Sequence, residues 1–140
     1  MKNPSELSTA TILALAQERI RNSDHWCKHI LGRDKDGSGT DGISDNTVQW
    51  CARGALLKVF GASDQWNVPR LPAEEYLDRA AREIYGADGD IPDYWITDHR
   101  WLYVGVNNYK EHKDVMRIFD RAIELAAADE KVNSEEHACA

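Results

Sequence analysis

The sequence feature that most constrains the fold is the spacing of apolar residues between positions 115 and 126. Apolar side chains recur there every three or four residues, and charged residues fill most of the positions between them. The apolar set is Val115, Ile118, Phe119, Ala122, Ile123 and Ala126. Because an α-helix brings residues at this spacing onto one face, the pattern predicts an amphipathic helix that other elements must cover.

Three further segments carry helix signals. The first, from Thr9 to about Asn22, repeats apolar residues at helical spacing. The second, Thr47 to Phe60, follows three polar cap residues and stops at Gly61. The third opens at Leu71-Pro72 and closes at Gly86. We expect the first, second and last helices to supply most of the core.

The β element is expected to be small. Segments near Trp26 to Leu31 and Trp101 to Val106 suit a two-stranded element, although periodicity alone does not separate strand from helix in the second. The predicted fold is therefore mainly α (α+β), with about four helices and two strands. We expect one globular domain over residues 1–128 and a polar, disordered tail over 129–140 that includes Cys139.

Gly54 lies in the middle of the second predicted helix. A glycine there costs up to about 1 kcal/mol relative to alanine, so its presence predicts a close approach of another part of the backbone. We expect Gly54→Leu to disrupt the fold.

Charge and composition narrow the function classes. The 140 residues carry a formal charge of −7, which argues against a general nucleic-acid-binding surface, because such a surface needs a basic stripe. No run of 18 apolar residues exists, and the first apolar stretch lacks a basic leader, so we expect neither a membrane span nor a signal peptide. Three cysteines, an odd number, favour reduced thiols in the cytoplasm.

Asp34 to Asp45 forms the most motif-like run. It resembles an EF-hand calcium loop, with oxygen-bearing residues at positions one, three, five and twelve and Gly39 at position six. It departs from that loop because Asp41 occupies the usual apolar position and Asp45 replaces a bidentate glutamate. The competing interpretation is a solvated turn rich in aspartate and glycine, which we favour.

Cysteine and histidine residues offer two weaker alternatives. His25, Cys27 and His29 would share one face of a strand, and the histidine pair together with Cys51 is chemically able to bind zinc, but a fourth ligand and the spacing of a strong zinc motif are missing. A thiol hydrolase would use Cys51 as nucleophile, with a histidine as base chosen from His25, His29, His99 and His112. We expect Cys51 to be a core residue instead, and we expect no metal or cofactor.

Tryptophans and a pair of amides are the candidate recognition residues. Trp66 and Trp95 neighbour turn residues, where partly exposed rings stack on ligands or anchor interfaces. Asn107-Asn108 is typical of a turn and cap before the last helix, and its amides are available to a ligand in that setting. The full predicted ligand-binding set is Trp50, Cys51, Trp66, Trp95, Asn107 and Asn108.

Three blocks of the chain resemble an uncharacterised family of bacterial and phage proteins. They are Trp50-Cys51-Ala52-Arg53-Gly54-Ala55-Leu56, the Asn107-Asn108 pair, and the stretch from Val115 to Ala126. In the middle block, Val106 stands where the family pattern has tryptophan and Asn108 where it has aspartate. The resemblance implies a bacterial or phage origin and a domain of unknown function, and it favours the turn interpretation of the loop at Asp34.

We therefore expect a cytoplasmic, non-enzymatic binding protein that recognises a partner protein or a small polar, nucleotide-like ligand through aromatic rings and amides. In a phage, such a module would serve counter-defence. The alternatives are a thiol- or metal-dependent hydrolase centred on Cys51 and a calcium-stabilised structural protein using the loop from Asp34 to Asp45. The sequence does not set the oligomeric state.

Overall fold

A computed structural model describes residues 7–61, 71–86 and 102–138, with side chains as far as Val132. These ranges hold five α-helices: α1 (Thr9–Arg19), α2 (Ala52–Phe60), α3 (Pro72–Tyr85), α4 (Leu102–Tyr109) and α5 (His112–Ala138). A 3-10 helix (Ser23–His25) follows α1, and three strands precede α2: β1 (Gly32–Asp34), β2 (Gly39–Thr40) and β3 (Thr47–Trp50). The predicted mainly α fold with a small β element is confirmed.

The core lies where α5 packs against α1 and α3. The apolar face predicted for α5 is confirmed, since Val115, Ile118 and Phe119 are fully buried. Helix α1 buries most of its predicted apolar residues, but Leu15 remains 46% exposed. All five helices contribute side chains to this one cluster, so the core is broader than the three helices expected.

Two buried carboxylates connect α3 to its neighbours. Glu74, 1% exposed, accepts hydrogen bonds from the Tyr103 hydroxyl (2.6 Å) and from Arg53 Nε (3.0 Å). Asp78 Oδ1 accepts from the backbone N–H groups of Leu102 (2.6 Å) and Tyr103 (3.2 Å). Asp78 thereby satisfies two of the free amides with which α4 begins, and this fixes the start of α4 against α3.

The sheet is antiparallel, with strand order β2-β1-β3. Gly32 pairs with Thr40 of β2 on one side and with Trp50 of β3 on the other. A single parallel bridge joins Trp50 to Trp26. Trp50 therefore ends β3 at the point where the sheet, the segment after α1 and the start of α2 meet.

The predicted location of the β element is wrong. The segment near Trp26 to Leu31 contributes only the bridge at Trp26. Its expected partner strand is helical instead, because residues 102–106 belong to α4. Trp101 lies outside the described residues. The observed strands are two to four residues long, so they are too short to show the alternation from which strands are predicted.

The predicted start of the second helix is also wrong. Residues 47–50 form β3, and α2 begins at Ala52 with Cys51 as its N-cap. In β3, Thr47 and Trp50 are buried while Val48 is exposed, a pattern that suits β-branched and aromatic residues in a short strand. The end of α2 is as predicted, because Gly61 takes the left-handed conformation (φ 81°).

Helix α5 continues past Ala128, where composition predicts a disordered tail, as far as Ala138. Asp129 Oδ2 accepts from the Tyr76 hydroxyl (2.7 Å), and Glu130 Oε1 accepts from the backbone N–H of Ala10 (3.1 Å). These contacts attach the turn after Ala128 to α3 and α1. Cys139 lies outside the described residues.

No helix within the described ranges combines the length and the apolar character that crossing a membrane requires.

Candidate functional site

The asparagine pair lies inside α4 rather than in the turn that was expected, and both side chains are buried. Asn107 Oδ1 accepts from Trp26 Nε1 (2.7 Å) and from the backbone N–H of Ala52 (3.0 Å). Its Nδ2 donates to the Cys27 carbonyl (3.2 Å) and to Asn108 Oδ1 (3.1 Å). One amide therefore connects α4 to the segment after α1 and to the first turn of α2.

Asn108 is likewise buried and bonded to the protein itself. Its Oδ1 also accepts from the backbone N–H of His29 (2.8 Å), at a residue with a positive φ of 68°. A non-glycine residue adopts that conformation only where its surroundings hold it. Both amides thus bind the protein's own backbone, and they stabilise an irregular segment rather than face solvent.

Cys51 is buried at the N-terminus of α2, and its Sγ accepts a hydrogen bond from the backbone N–H of Gly54 (3.3 Å). Burial raises the pKa of the Cys51 thiol. Burial, with a smaller effect of the neighbouring Cys51, also raises the pKa of Cys27 to about 12. A nucleophilic cysteine needs a lowered pKa and access to solvent, and neither thiol has that combination.

Two of the histidines considered as bases or ligands, His29 and His112, contact other groups. The His112 Nε2 lies 2.7 Å from the Ile20 carbonyl oxygen, and the His29 ring meets Tyr109 edge-on at 5.5 Å. The Cys27 thiol donates to the Ile30 carbonyl (3.6 Å). Within the described residues, no three histidine, cysteine, aspartate or glutamate side chains gather to hold a metal ion. His99 lies outside that part of the chain.

The loop from Asp34 to Asp45 forms two separate turns. Asp34 Oδ1 accepts from the backbone N–H groups of Asp36 (2.9 Å) and Ser38 (3.0 Å) between β1 and β2. Asp41 Oδ1 accepts from the backbone and hydroxyl of Ser44, and the hydroxyl bond lowers the pKa of Asp41. Because strands flank the first turn and the two carboxylates serve different turns, this geometry favours the turn interpretation over an EF-hand.

A shallow concave surface lies between α1 and β3, and we call it the α1–β3 groove. It measures about 570 Å³ and is open to solvent. Its lining residues are Leu15, Glu18, Arg19, His25, Thr47, Val48 and Trp50. Pockets that hold small ligands measure about 300–1,000 Å³ and combine apolar surface with a few polar groups, as this groove does.

Arg19 and Trp50 form the floor of the α1–β3 groove. The guanidinium carbon of Arg19 lies 4.9 Å from the centroid of the Trp50 ring, a cation–π contact worth about 0.5–1 kcal/mol at a partly exposed site. The Trp50 ring is itself fixed, since its Nε1 donates to the Gly42 carbonyl (2.7 Å). The guanidinium group of Arg19 therefore lies against a ring whose own position is fixed.

One polar atom of this floor lacks a hydrogen-bond partner. The Nε of Arg19 is inaccessible to solvent and makes no hydrogen bond among the described residues. An unsatisfied buried donor costs about 1–3 kcal/mol, so such atoms are rare in folded proteins. By contrast Arg53, the half-buried arginine of α2, donates its Nε to Glu74.

Among the residues that the structure describes, no acidic side chain of the α1–β3 groove pairs with Arg19. Glu18 lines the groove, but its carboxylate pairs with Arg21 Nε at 2.8 Å. The exposed ring of His25, which also lines the groove, makes no hydrogen bond in the part of the chain that the structure describes. The two apolar rim residues, Leu15 and Val48, are 46% and 42% exposed.

Of the residues that line this groove, Trp50 belongs to the ligand-binding set expected from sequence, and Arg19 does not. Leu15, Glu18 and Arg19 recur at helical spacing on α1, but that pattern alone is typical of a solvated helix face. Trp66 and Trp95, the other tryptophans of the predicted set, lie outside the described residues.

Comparisons with known proteins give a family and no activity. No curated protein and no solved structure matches the chain. The model of one protein family matches residues 4–125, which is most of the chain. The protein therefore belongs to the Family of unknown function (DUF6197), an uncharacterised family, as the resemblance of its three sequence blocks indicated.

Proposed function

We propose that this protein is a non-enzymatic binding protein and that the α1–β3 groove is its ligand site. The observation that carries the proposal is the composition of the groove, which joins exposed apolar side chains, Leu15 and Val48, to a cation fixed on an aromatic ring. This combination offers a ligand both buried apolar contact and an oriented polar group. The volume of about 570 Å³ suits a small molecule.

The state of the thiols supports a binding protein over a hydrolase. Cys51 serves as a helix cap inside the core, and its pKa is raised rather than lowered. Cys27 and Cys51 are both free cysteines, which supports our expectation that the protein works in the cytoplasm. A bacterial or phage origin, and a counter-defence role in a phage, follow from the family resemblance and belong to this proposal.

The proposed contacts differ from those expected from sequence. Asn107 and Asn108 are assigned a structural role, because their amide groups bind backbone groups of the protein. Trp50 remains a contact residue, and Arg19, His25, Leu15 and Val48 join it. A protein partner is the other occupant to be distinguished by experiment.

A screen by two-dimensional NMR tests the proposal. A library of small molecules with neutral, anionic and cationic members is added to ¹⁵N-labelled protein, and we expect hits to shift the amide of Val48 and the indole N–H of Trp50. Leu15→Trp places a large ring at the rim of the groove, so it should abolish these shifts while the protein stays folded.

Ala14→Trp is the matched control. Ala14 is exposed on the same helix but does not line the groove, so binding should survive the substitution. The proposal fails if no library member shifts the groove resonances, or if Leu15→Trp and Ala14→Trp affect binding equally.

A further inference from the structure

We propose that the ligand of the α1–β3 groove carries an anionic oxygen group, a carboxylate or a phosphate, which binds the guanidinium group of Arg19. This inference rests on the proposed function and names its ligand chemistry. Three independent features of the groove support it: the partners of Arg19, the geometry of Arg19, and the neighbouring charges.

The first feature is the missing partner. Arg19 Nε is out of contact with water and has no hydrogen-bond acceptor among the described residues, and the Glu18 carboxylate beside it pairs with Arg21. A guanidinium group has five N–H donors and no acceptor. The Nε is closed to solvent, so a ligand in the groove would bind the remaining N–H groups of Arg19, for which no hydrogen bond is found among the described residues. An anionic oxygen is the strongest acceptor for them.

The second feature is orientation. Trp50 is fixed by its bond to the Gly42 carbonyl, and Arg19 lies against the face of the ring. A guanidinium group is planar and presents two parallel N–H groups, which match the spacing of the oxygens in a carboxylate or phosphate. Because the side chain is already ordered, binding loses little conformational entropy.

The third feature is the setting of the cation. The net charge of −7 disfavours anions in general, but within the groove Arg19 supplies a local cation, and the acidic residue Glu18 is paired with Arg21. His25 lines the groove beside Arg19 and offers a further N–H donor. The apolar rim formed by Leu15 and Val48 then suits a ligand whose anionic group is attached to a small apolar or aromatic body.

Four probes with a common phenyl body test the head group: phenylacetate, phenyl phosphate, 2-phenylethanol and 2-phenylethylamine. Each is titrated into the full-length ¹⁵N-labelled protein, and Kd is read from the Val48 amide and Trp50 indole shifts. We expect one or both anionic probes to bind about tenfold or more tightly than the alcohol and the amine, as a charge-assisted hydrogen bond implies. The tighter of the two anions identifies a carboxylate or a phosphate ligand.

Arg19→Gln should remove this preference, so that within the variant the anionic probes and 2-phenylethanol bind with Kd values within about twofold of one another. Arg121→Gln is the matched control: it changes the net charge equally, at an arginine of α5 that pairs with Glu83, and should preserve the preference. Should Arg19→Gln fail to fold, the comparison of the four head groups in the wild-type protein decides alone.

The outcomes separate this inference from the proposed function. Equal affinity for all four probes, or preference for the alcohol or amine, overturns the anionic ligand but leaves a binding groove in place. If all library hits at the groove are neutral or cationic, the anionic ligand is likewise overturned and the binding groove stands. If neither the probes nor the library shift the groove resonances, both proposals are wrong.

Discussion

At the scale of single residues, Gly54 sets how closely α2 approaches the chain that precedes β1. A Cβ atom added at Gly54 would collide with the carbonyl oxygen of Leu31. That carbonyl is not free to move, because it accepts a hydrogen bond from the backbone N–H of Cys51 (3.2 Å). The contact is between two backbones, so no side-chain rotation relieves it.

Gly54→Ala should therefore destabilise the protein by about 1–3 kcal/mol, even though alanine is the better helix former by about 1 kcal/mol. Urea denaturation followed by circular dichroism measures the change. Gly37→Ala is the control, since Gly37 also accepts no side chain without strain (φ 83°) but has open space around its Cα. It should cost about 1–2 kcal/mol from backbone conformation alone.

An unchanged or raised unfolding free energy for Gly54→Ala would show that the two backbones separate easily, and the close approach would then have no structural role. The role of Gly54 could be predicted from sequence because a mid-helix glycine is unfavourable by itself and needs a compensating contact. Arg19 could not be recognised in this way. Its position on an amphipathic helix is ordinary. Its importance comes from its contact with the ring of Trp50, which lies 31 positions later in the chain and is brought close only by folding.

At the scale of elements, a tyrosine–aspartate pair joins α3 to the start of α5. The Tyr85 hydroxyl donates to Asp114 Oδ1 (2.6 Å). Burial acts to raise the pKa of Asp114, but the bonds from Tyr85 and from the Glu111 N–H, with the charges of Lys110 and Lys113, lower it overall. Burial and the bond to Asp114 raise the pKa of Tyr85 to about 12.

These shifts predict how stability depends on pH. The pKa of Asp114 is lower in the folded than in the unfolded protein. Ionised Asp114 therefore contributes to stability above pH 3.8, its ordinary pKa, and this contribution is lost as the pH falls below 3.8 and through the lower pKa of the folded state. The contribution of Tyr85 is fully present below pH 10, its ordinary value, and is lost as the pH rises toward 12.

Tyr85→Phe should lower the unfolding free energy by about 1 kcal/mol near neutral pH. This is less than the usual value of about 1.5–3 kcal/mol for a bond to a charged group, because Asp114 is partly exposed and solvent screens its charge. A double-mutant cycle with Asp114→Asn measures the coupling of the pair at about pH 7 and at a series of pH values that falls from 3.8 toward acid unfolding, because the pKa of Asp114 lies below 3.8 in the folded protein. We expect the coupling to shrink in acid, where Asp114 becomes protonated. A coupling energy that stays constant over this range would contradict the assignment.

The elements themselves differ in how far sequence determines them. Helices α3 and α5 could be predicted because each is long enough to repeat its apolar spacing several times and α3 also starts with Pro72. The boundary between β3 and α2 could not, because Val48 and Trp50 fit a helical and an extended pattern equally well. Pairing of Gly32 with Trp50 decides between them, and that pairing is a tertiary contact.

At the scale of the whole molecule, contacts between residues far apart in sequence determine both the α1–β3 groove and the end of the folded unit. The groove could not be predicted from sequence, because its two sides, α1 and β3, come together only when the core packs.

The end of the folded unit depends on contacts that the later part of α5 makes with α1 and α3. On α5, Asp129 accepts from Tyr76 of α3 and lies 3.4 Å from Arg79, while Glu130 accepts from the first turn of α1. Both carboxylates follow Ala128, where the change in composition suggested that the folded domain stops.

These contacts give a direct test of where the folded unit ends. A chain ending at residue 130 keeps both carboxylates, and a chain ending at residue 128 loses them together with their bonds to α3 and α1. We therefore expect the shorter chain to melt at a lower temperature than the longer one. The combined substitution Asp129→Asn and Glu130→Gln in the full-length protein should reproduce part of this loss without shortening α5, because it weakens the hydrogen bonds while keeping the backbone. Identical melting temperatures for the two shortened chains would place the end of the folded unit at Ala128, and the contacts of Asp129 and Glu130 would then contribute nothing to stability.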